Sequence, residues 1–392
     1  MSSGVLSRSD ISVLVGSVVA IVAAGVCRYA GAPAIIAFVV AGAAVALLAS
    51  VVGRSVEQLG DRFGPGATGV LQSALGNLPE LFIGFFALQA GLVAVVQAAI
   101  IGSILSNILL VLGLAFVVGG LRNGVQRFDS ERARTSAVLM VLATGALVLP
   151  SLAEYVHTPA APHERELSLI VSIVLLGVFV LSLPAALKRR PMSDQVAEAA
   201  DEPADEAADQ AADQAADEPA DEAADEAADE PADEAHSKGA HWPLWLAVTL
   251  LAVASVAAAL VSDWFVYALE PAIDALGISQ AFAGLVIVAI AGNAIENVVG
   301  IQLAHRNKAD FAMAVIIQSP LQIALVLAPA LVLLSFLTAT TLTLVFAPML
   351  VVAVAVTVIA VAFVVFDGES NWLEGVTLIA LYVIIATAFW WG

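Results

Sequence analysis

Two copies of one short motif place an amide and a carboxylate inside apolar stretches of the chain. Residues 76–80 read Gly-Asn-Leu-Pro-Glu, and residues 292–296 read Gly-Asn-Ala-Ile-Glu. The offset of 216 residues continues without a gap beyond the motifs, since it also superimposes Ser103 on Ser319. A carboxylate within a hydrophobic span costs about 3 kcal/mol. Its presence at matched positions of two halves predicts an ion site at the junction of two internal repeats.

The spacing within each motif suits a hard cation. Asn77 and Glu80 are three residues apart, as are Asn293 and Glu296, so on a helix the two side chains of each pair share one face. Amide and carboxylate oxygens are hard ligands that suit Ca²⁺ rather than a soft metal. These four residues are the predicted ion-binding residues, with Glu80 and Glu296 as the metal-binding carboxylates. A polar pair that only packs helices is the alternative, and its recurrence at the repeat offset argues against it.

The backbone at the motifs is predicted to be irregular. Gly76 and Gly292 permit close backbone approach, and Pro79 removes a backbone donor and can free an upstream carbonyl. Irregular backbone at membrane depth is tolerated where it lines a cavity, and there it adds carbonyl ligands. Both glycines are therefore predicted to line the cavity.

The helix after each motif is polar on one side. Ser103, Ser106 and Asn107 share a face after the first motif, and Ser319 and Gln322 share one after the second. We predict that these five side chains also line the cavity. Small polar residues commonly pack membrane helices together, and that interpretation stays open for them.

Composition indicates a polytopic membrane protein. Of the 392 residues 60% are hydrophobic and 13% are charged, which is too little charge to cover a soluble fold of this size. Apolar runs of about 20 residues are typical of transmembrane helices. The prediction is an all-α integral membrane protein with about eleven transmembrane helices. The apolar segments are roughly 11–30, 33–57, 67–91, 94–119, 132–153, 167–187, 243–266, 279–304, 310–336, 341–366 and 372–391.

The segments divide into one extra helix and two sets of five. Residues 1–32 hold the extra N-terminal helix, residues 33–190 the first five-helix repeat, and residues 241–392 the second. An acidic linker, residues 191–240, joins the two repeats. Because five is odd, the second set must enter the membrane from the opposite side, so the repeats have inverted topology.

Loop charges predict the orientation. Thirteen of the 15 Lys and Arg residues fall on the side that holds the N-terminus and the linker, and the other side receives Arg28 and Arg165. By the positive-inside rule the N-terminus and the linker are cytoplasmic, and the C-terminus is outside. The plasma membrane is the expected location.

The acidic linker carries most of the net charge of −20. Eighteen of the 35 acidic residues lie between Asp194 and Glu234, where there is no Lys or Arg. Prolines interrupt this low-complexity segment and its like charges repel, so disorder or transient helix is expected. Three interpretations are open: a solvated linker, a segment that concentrates cations near the cytoplasmic entrance to the ion site, or a regulatory low-affinity Ca²⁺ site. With the single cysteine Cys27, neither an intrachain disulfide nor a Cys-based metal site can form, and no cofactor is expected.

The motifs resemble those of the cation/Ca²⁺ exchanger superfamily. Gly-Asn-x-x-Glu in both repeats is followed by Gly-Ser-Ile-Leu-Ser-Asn at 102–107 and by Ser-x-x-Gln-Ile-Ala-Leu at 319–325, which is similar to the H⁺/Ca²⁺ exchanger (CAX) branch. The resemblance implies eleven helices split by an acidic stretch. It also implies that Glu80 and Glu296 bind both Ca²⁺ and H⁺, with the polar residues named above around them.

Three departures from that branch bear on the counter-ion. Leu78 and Pro79 replace a pair of small residues, Asn297 replaces a histidine, and Gln318 replaces a glycine. Neither motif carries the Gly-Thr-Ser of the Na⁺/Ca²⁺ branch, so H⁺ is favoured as the counter-ion.

The predicted function is exchange of Ca²⁺ for H⁺ by alternating access. A Na⁺/Ca²⁺ or Na⁺/H⁺ antiporter on the same scaffold is the first alternative, and a passive cation channel with acidic rings is the second. An intramembrane enzyme is not expected, because all five histidines fall in loops or at helix ends. The transported ions and the bilayer are the expected partners, without nucleic acid, and the oligomeric state is left open.

Overall fold

A computed structural model describes residues 6–63, 75–188 and 242–391. The described chain is almost entirely helical, with one short antiparallel pair of strands that joins Gln126 to Ser370. The helices are α1 (Arg8–Tyr29), α2 (Ala34–Phe63), α3 (Leu78–Gln89), α4 (Val93–Asn123), α5 (Ser130–Tyr155), α6 (Glu164–Lys188), α7 (Leu244–Leu276), α8 (Gln280–Gly292), α9 (Ala294–His305), α10 (Ala309–Ser335), α11 (Pro348–Val364) and α12 (Trp372–Phe389). The strands are β1 (Gln126–Arg127) and β2 (Glu369–Ser370).

The all-helical membrane fold is confirmed, whereas the count of eleven spans stays a prediction. Within the described residues eight helices are long and apolar enough to cross a membrane, and up to nine if the bent pair α8 and α9 forms one span. Every predicted segment overlaps at least one helix of the described residues. However, α3 and α11 are shorter, with 12 and 17 residues.

Some predictions fall on residues outside the described part of the chain. The acidic linker, residues 191–240, lies there, and so do residues 64–74, which include the start of the predicted span 67–91. The interpretations of the linker, including the regulatory Ca²⁺ site, therefore stay predictions.

Two predicted boundaries are wrong, each for a local reason. The segment 243–266 continues to Leu276, because a helix tolerates the polar residues after 266 and ends only where Gly277 adopts a left-handed conformation. The segment 341–366 becomes helical only at Pro348. Before it, Leu342, Leu344 and Phe346 alternate as buried side chains in extended backbone, a period-two pattern that an apolar count cannot distinguish from a helix.

The inverted relation of the two repeats is visible in the pair formed by α2 and α7. Near the start of α2, the ring of Phe38 stacks on Phe265 near the end of α7, with centroids 4.6 Å apart. Near the end of α2, the Gln58 side chain accepts a hydrogen bond at 2.8 Å from the backbone N–H of Trp242, just before α7. The two equivalent helices thus run antiparallel, as an odd number of helices per repeat requires.

The core that positions the site is centred on α4, which is more enclosed than the other long helices. It crosses α8 so closely that a methyl group on Gly102 would lie 2.5 Å from the Cα of Leu285. Single π-helical turns interrupt α4 at Ser106–Val111, α8 at Ala283–Val288 and α10 at Ile323–Leu327. Such turns are frequent at functional sites, and these three flank the motif regions.

Candidate ion-binding site

Both motif asparagines stand at breaks in the helices rather than inside them. Asn77 precedes α3 with φ −89° and ψ 15°, and Asn293 separates α8 from α9 with φ −96° and ψ 16°. The bend between α8 and α9 is 64°. Asparagine before a helix usually caps it with its side-chain oxygen, but neither side chain does so here. The predicted single helix 279–304 is thus broken, and both amides are available to the site.

Asn293 is the most connected side chain of the site. Its Nδ2 donates to the Ser103 hydroxyl at 3.0 Å and to the carbonyl of Ala289 at 2.9 Å. Its Oδ1 accepts from Asn107 Nδ2 and from the Ser319 hydroxyl, each at 3.2 Å. Asn293 is fully buried, and its hydrogen bonds join helices of both repeats. The predicted cavity residues Ser103, Asn107 and Ser319 are therefore brought together around it.

Asn77 binds the same face of α10 that holds Asn293. Its Nδ2 donates to Gln322 Oε1 at 3.2 Å, one helical turn from Ser319. The Oδ1 atoms of Asn77 and Asn107 are buried without a hydrogen-bond partner. A buried acceptor left in this way costs about 1–3 kcal/mol, so these two oxygens are available as ligands for a cation.

Glu80 lies in the first turn of α3 against the backbone of the other repeat. A methyl group on Gly292 would lie 2.5 Å from Glu80 Cγ, so the glycine predicted to permit close approach does so. The carboxylate lines a cavity of about 30 Å³, and Ser103 is the other polar side chain among the described residues that line it. The remaining lining residues are Ile83, Gly84, Ala87, Val95, Val96, Ala99, Ile100, Val288, Leu327 and Leu331.

The cavity is elongated along α3 and α4. Its walls follow one face of α3 from Glu80 to Ala87, and one face of α4 from Ser103 back to Val95. It therefore extends from the motif carboxylate toward the end of the bundle where α3 ends and α4 begins.

Three predicted site residues are placed differently or only in part. The Ser106 hydroxyl donates to the Ser103 carbonyl on its own helix at 3.3 Å rather than to a motif residue. Gly76 is half-buried in the turn just before Asn77. The backbone of Glu296 lies in α9, but its side chain is outside the described part of the structure. Its role as a ligand stays a prediction.

One polar contact near the cavity was missed by sequence reasoning. Gln97, for which the sequence indicates no role beyond capping or access, donates from Nε2 to the carbonyls of Thr343 at 3.0 Å and Val345 at 2.9 Å. Ser151 and Ser168 hydrogen-bond Leu344 and Phe346 backbone groups of the same extended segment. The seven residues 341–347 before α11 are thus held by side chains of α4, α5 and α6. The only signal in the sequence is the alternation of apolar residues.

The fold and the motifs have counterparts in known proteins. The family model described as "Sodium/calcium exchanger protein" matches residues 33–188 and 246–391. The chain is similar to the Ca²⁺/H⁺ antiporter of Aphanothece halophytica, with 35% identity over 90% of this chain and 89% of that protein. It is also similar to the Ca²⁺/H⁺ antiporter ChaA of Bacillus subtilis, with 33% identity over 91% of this chain and 92% of that protein.

A solved structure agrees in fold over nearly the whole length. The crystal structure of the Ca²⁺/H⁺ antiporter protein YfkE superimposes with a TM-score of 0.74 at 29% identity, covering 96% of this chain and 98% of that chain. The resemblance to the H⁺/Ca²⁺ exchanger branch that the motifs indicate is thereby confirmed. With its inverted repeats, its paired motifs and these relatives, the chain belongs to the sodium/calcium exchanger protein family.

Proposed function

We propose that this protein is a secondary active transporter that exchanges Ca²⁺ for H⁺ across a membrane. The observation that carries the proposal is the Glu80 carboxylate in an almost wholly apolar cavity, beside the other repeat and its hydrogen-bonded amides. Relatives at 33–35% identity named as Ca²⁺/H⁺ antiporters support this choice of ions over Na⁺. Transport rather than an enzymatic reaction is the proposed activity.

The proposed ion site combines one carboxylate from each repeat with two amide oxygens of the first repeat. Glu80 and Glu296 supply the charge, and the Oδ1 atoms of Asn77 and Asn107 supply neutral ligands that no hydrogen bond occupies. Hard oxygen ligands of this kind suit Ca²⁺. Asn293 is proposed to hold the ligands in place, since its own hydrogen-bonding groups are used by its neighbours.

Competition for the same carboxylates couples the two ions. Two ionised carboxylates in a low-dielectric cavity repel each other and lack the solvation that water gives them. One Ca²⁺ or bound protons neutralise them, and either state is better tolerated than the empty, charged one. Ca²⁺ and H⁺ therefore exclude each other at one site, and no separate proton path is needed to couple their fluxes.

Access to the site is proposed to alternate by movement of the α2–α7 pair against the remaining helices. These are the first helices of the two repeats, and they pack on each other along their length. The cavity that runs from Glu80 along α3 and α4 is the proposed path to one side of the membrane. Its apolar walls leave Glu80 as the first charged group that an entering cation meets.

Transport by the reconstituted protein tests both the identity of the exchanged ions and the role of the Glu80 carboxylate. Proteoliposomes loaded with Ca²⁺ are given either a pH gradient or a Na⁺ gradient, and Ca²⁺ movement is followed with an indicator dye. We expect the pH gradient to drive transport and Glu80→Gln to abolish it, since the amide keeps the shape and removes the charge. Glu154→Gln, at a half-buried position in the last turn of α5 and outside the motifs, is the matched control and should transport normally. Near-normal transport by Glu80→Gln, or movement driven by Na⁺ alone, would refute the proposal.

We also propose the plasma membrane as the location, with the N-terminus and the acidic linker in the cytoplasm and the C-terminus outside. The structure is consistent with the loop charges, because Asp10 near the N-terminus accepts hydrogen bonds from Arg54 near the end of α2 and from Trp242 after the linker. Single cysteines at 237 and 391, introduced with Cys27→Ser, should react with an impermeant maleimide from opposite sides in intact cells. Labelling of both from the same side would exclude this orientation.

A further inference from the structure

A second cavity, of about 210 Å³, lies apart from the ion site between the ends of three helices. It is bounded by the last turn of α1, the turn that follows it, the first turns of α2 and the end of α7. Small residues form most of its wall, while Arg28, Trp264 and Tyr267 are its large side chains. The small lining residues are Ala24, Cys27, Gly31, Ala32, Ala34, Ala37, Ala41 and Ala268, and Pro271 completes the wall.

Arg28 brings a positive charge to this cavity without a negative partner in the described structure. Its guanidinium lies over the ring of Tyr267, 3.5 Å from the centroid, and its Nε is buried with no hydrogen-bond partner. Arg28 forms no ion pair with another described residue, unlike Arg54, which pairs with Asp10, and Arg127, which pairs with Glu369. The planar fork of an arginine, with donors to spare, matches a phosphate group.

Aromatic side chains near the cavity indicate that it lies at the depth of lipid headgroups. Tyr29 and Tyr267 at its rim are 76% and 60% exposed, and Tyr29 packs edge-on against Trp264. Exposed tyrosines and tryptophans at helix ends mark the membrane–water interface. Below them α1 presents an apolar exposed stripe to the bilayer, formed by Val15, Val18, Val19, Val22 and Val26. A molecule with a phosphate in the cavity and acyl chains along this stripe is a phospholipid.

The charges next to the cavity select among phospholipids. Asp263, Glu270 and Asp274 are exposed and share one face of α7 with Tyr267, the residue on which Arg28 stacks. These carboxylates disfavour a headgroup with net negative charge but suit an ammonium group that can donate hydrogen bonds. We propose that this crevice binds the headgroup of phosphatidylethanolamine, with its phosphate on Arg28 and its ammonium toward Asp263 and Glu270.

Native mass spectrometry of the full chain in detergent tests the site directly. Phosphatidylethanolamine, phosphatidylglycerol and phosphatidylcholine with identical acyl chains are titrated in turn. We expect phosphatidylethanolamine to bind at least tenfold more tightly than the other two, and Arg28→Met to lose this preference. Arg165→Met removes the other arginine of the same membrane side, which is exposed, and should bind like the wild type. Equal binding by wild type and Arg28→Met, or a preference for phosphatidylglycerol, would overturn the proposal.

Two further variants separate a lost site from a misfolded protein. Ala37→Leu fills the cavity while keeping Arg28, and it should reduce phosphatidylethanolamine binding as strongly as Arg28→Met, with an unchanged elution volume and melting temperature. Replacing Asp263 and Glu270 by their amides should keep binding of the phosphate but abolish discrimination against phosphatidylglycerol. Displacement of the lipid by millimolar inorganic phosphate would show a phosphate site instead and would overturn the lipid assignment. None of these outcomes depends on the ions that the protein transports.

Discussion

A methyl group on Gly102 tests whether the close crossing of α4 and α8 sets the geometry of the ion site. It would lie 2.5 Å from the Cα of Leu285 and 2.6 Å from its carbonyl carbon, and still nearer the carbonyl oxygen. These are backbone atoms, which cannot rotate away as a side chain can. Since ordinary contact begins near 3.4 Å, the two helices must separate by about 1 Å in Gly102→Ala.

That separation acts directly on the hydrogen bonds of the site. Ser103 follows Gly102, and its hydroxyl accepts from Asn293 Nδ2 at 3.0 Å. A separation of about 1 Å puts the two atoms about 4 Å apart, beyond hydrogen-bonding distance. Overpacking of this kind costs about 1–3 kcal/mol, and misplacing a positioned group by about 1 Å can lower a rate on the order of 100-fold. We therefore expect Gly102→Ala to reduce the rate of Ca²⁺ exchange at least about tenfold.

The assay is pH-driven Ca²⁺ movement in proteoliposomes, normalised to the amount of monodisperse protein. Gly145→Ala in α5 is the matched control, because nothing lies within 4 Å of the added methyl group, and it should exchange Ca²⁺ at the wild-type rate. Exchange by Gly102→Ala within twofold of the Gly145→Ala rate would show that the crossing is not what positions Ser103 and Asn293.

Two other changes probe parts of the protein outside the motifs. Gln97→Met removes both hydrogen bonds to the extended segment and leaves the carbonyls of Thr343 and Val345 without this donor; at about 1–3 kcal/mol for each buried group, the melting temperature in detergent should fall. An unchanged melting temperature would mean that water or another donor replaces the two hydrogen bonds of Gln97. Deletion of residues 194–234 should leave the dependence of exchange on Ca²⁺ concentration unchanged if the segment is a solvated linker, and a shifted dependence would instead indicate a regulatory or cation-concentrating role.

The features that could be predicted from the sequence are those encoded by local spacing and by the repeat offset. A shift of 216 residues pairs Ser103 with Ser319, and both now lie around Asn293. Inversion follows from the odd number of apolar segments, and it is visible in the antiparallel α2 and α7. The distribution of Lys and Arg among the loops predicts the same alternation of successive loops between the two sides of the membrane, independently of the motifs.

What the sequence could not provide depends on contacts between distant parts of the chain. Gly76, Pro79 and Gly292 predict irregular backbone at the motifs. The exact positions, Asn77 before α3 and Asn293 between α8 and α9, depend on the binding of these two amides to α10 and α4. Likewise, the short alternation of apolar residues before Pro348 is the one local sign of an extended segment, and the backbone of that segment is held by Gln97, more than 240 residues away. Membrane spans are recognised by composition, whereas irregular backbone at membrane depth is specified by its partners.

The two motifs are related by sequence but are not equivalent in their hydrogen bonds. Ser319 and Gln322 of α10 bind Asn293 and Asn77 respectively, whereas Ser103 and Asn107 of α4 both bind Asn293. Gln322 occupies the repeat position of Ser106, and only the longer side chain reaches the asparagine of the other repeat. Asn293 is consequently bonded through both its oxygen and its nitrogen, while the oxygen of Asn77 has no partner. In the proposed site, Asn293 therefore holds the surrounding side chains together, while Asn77 keeps an oxygen for the ion.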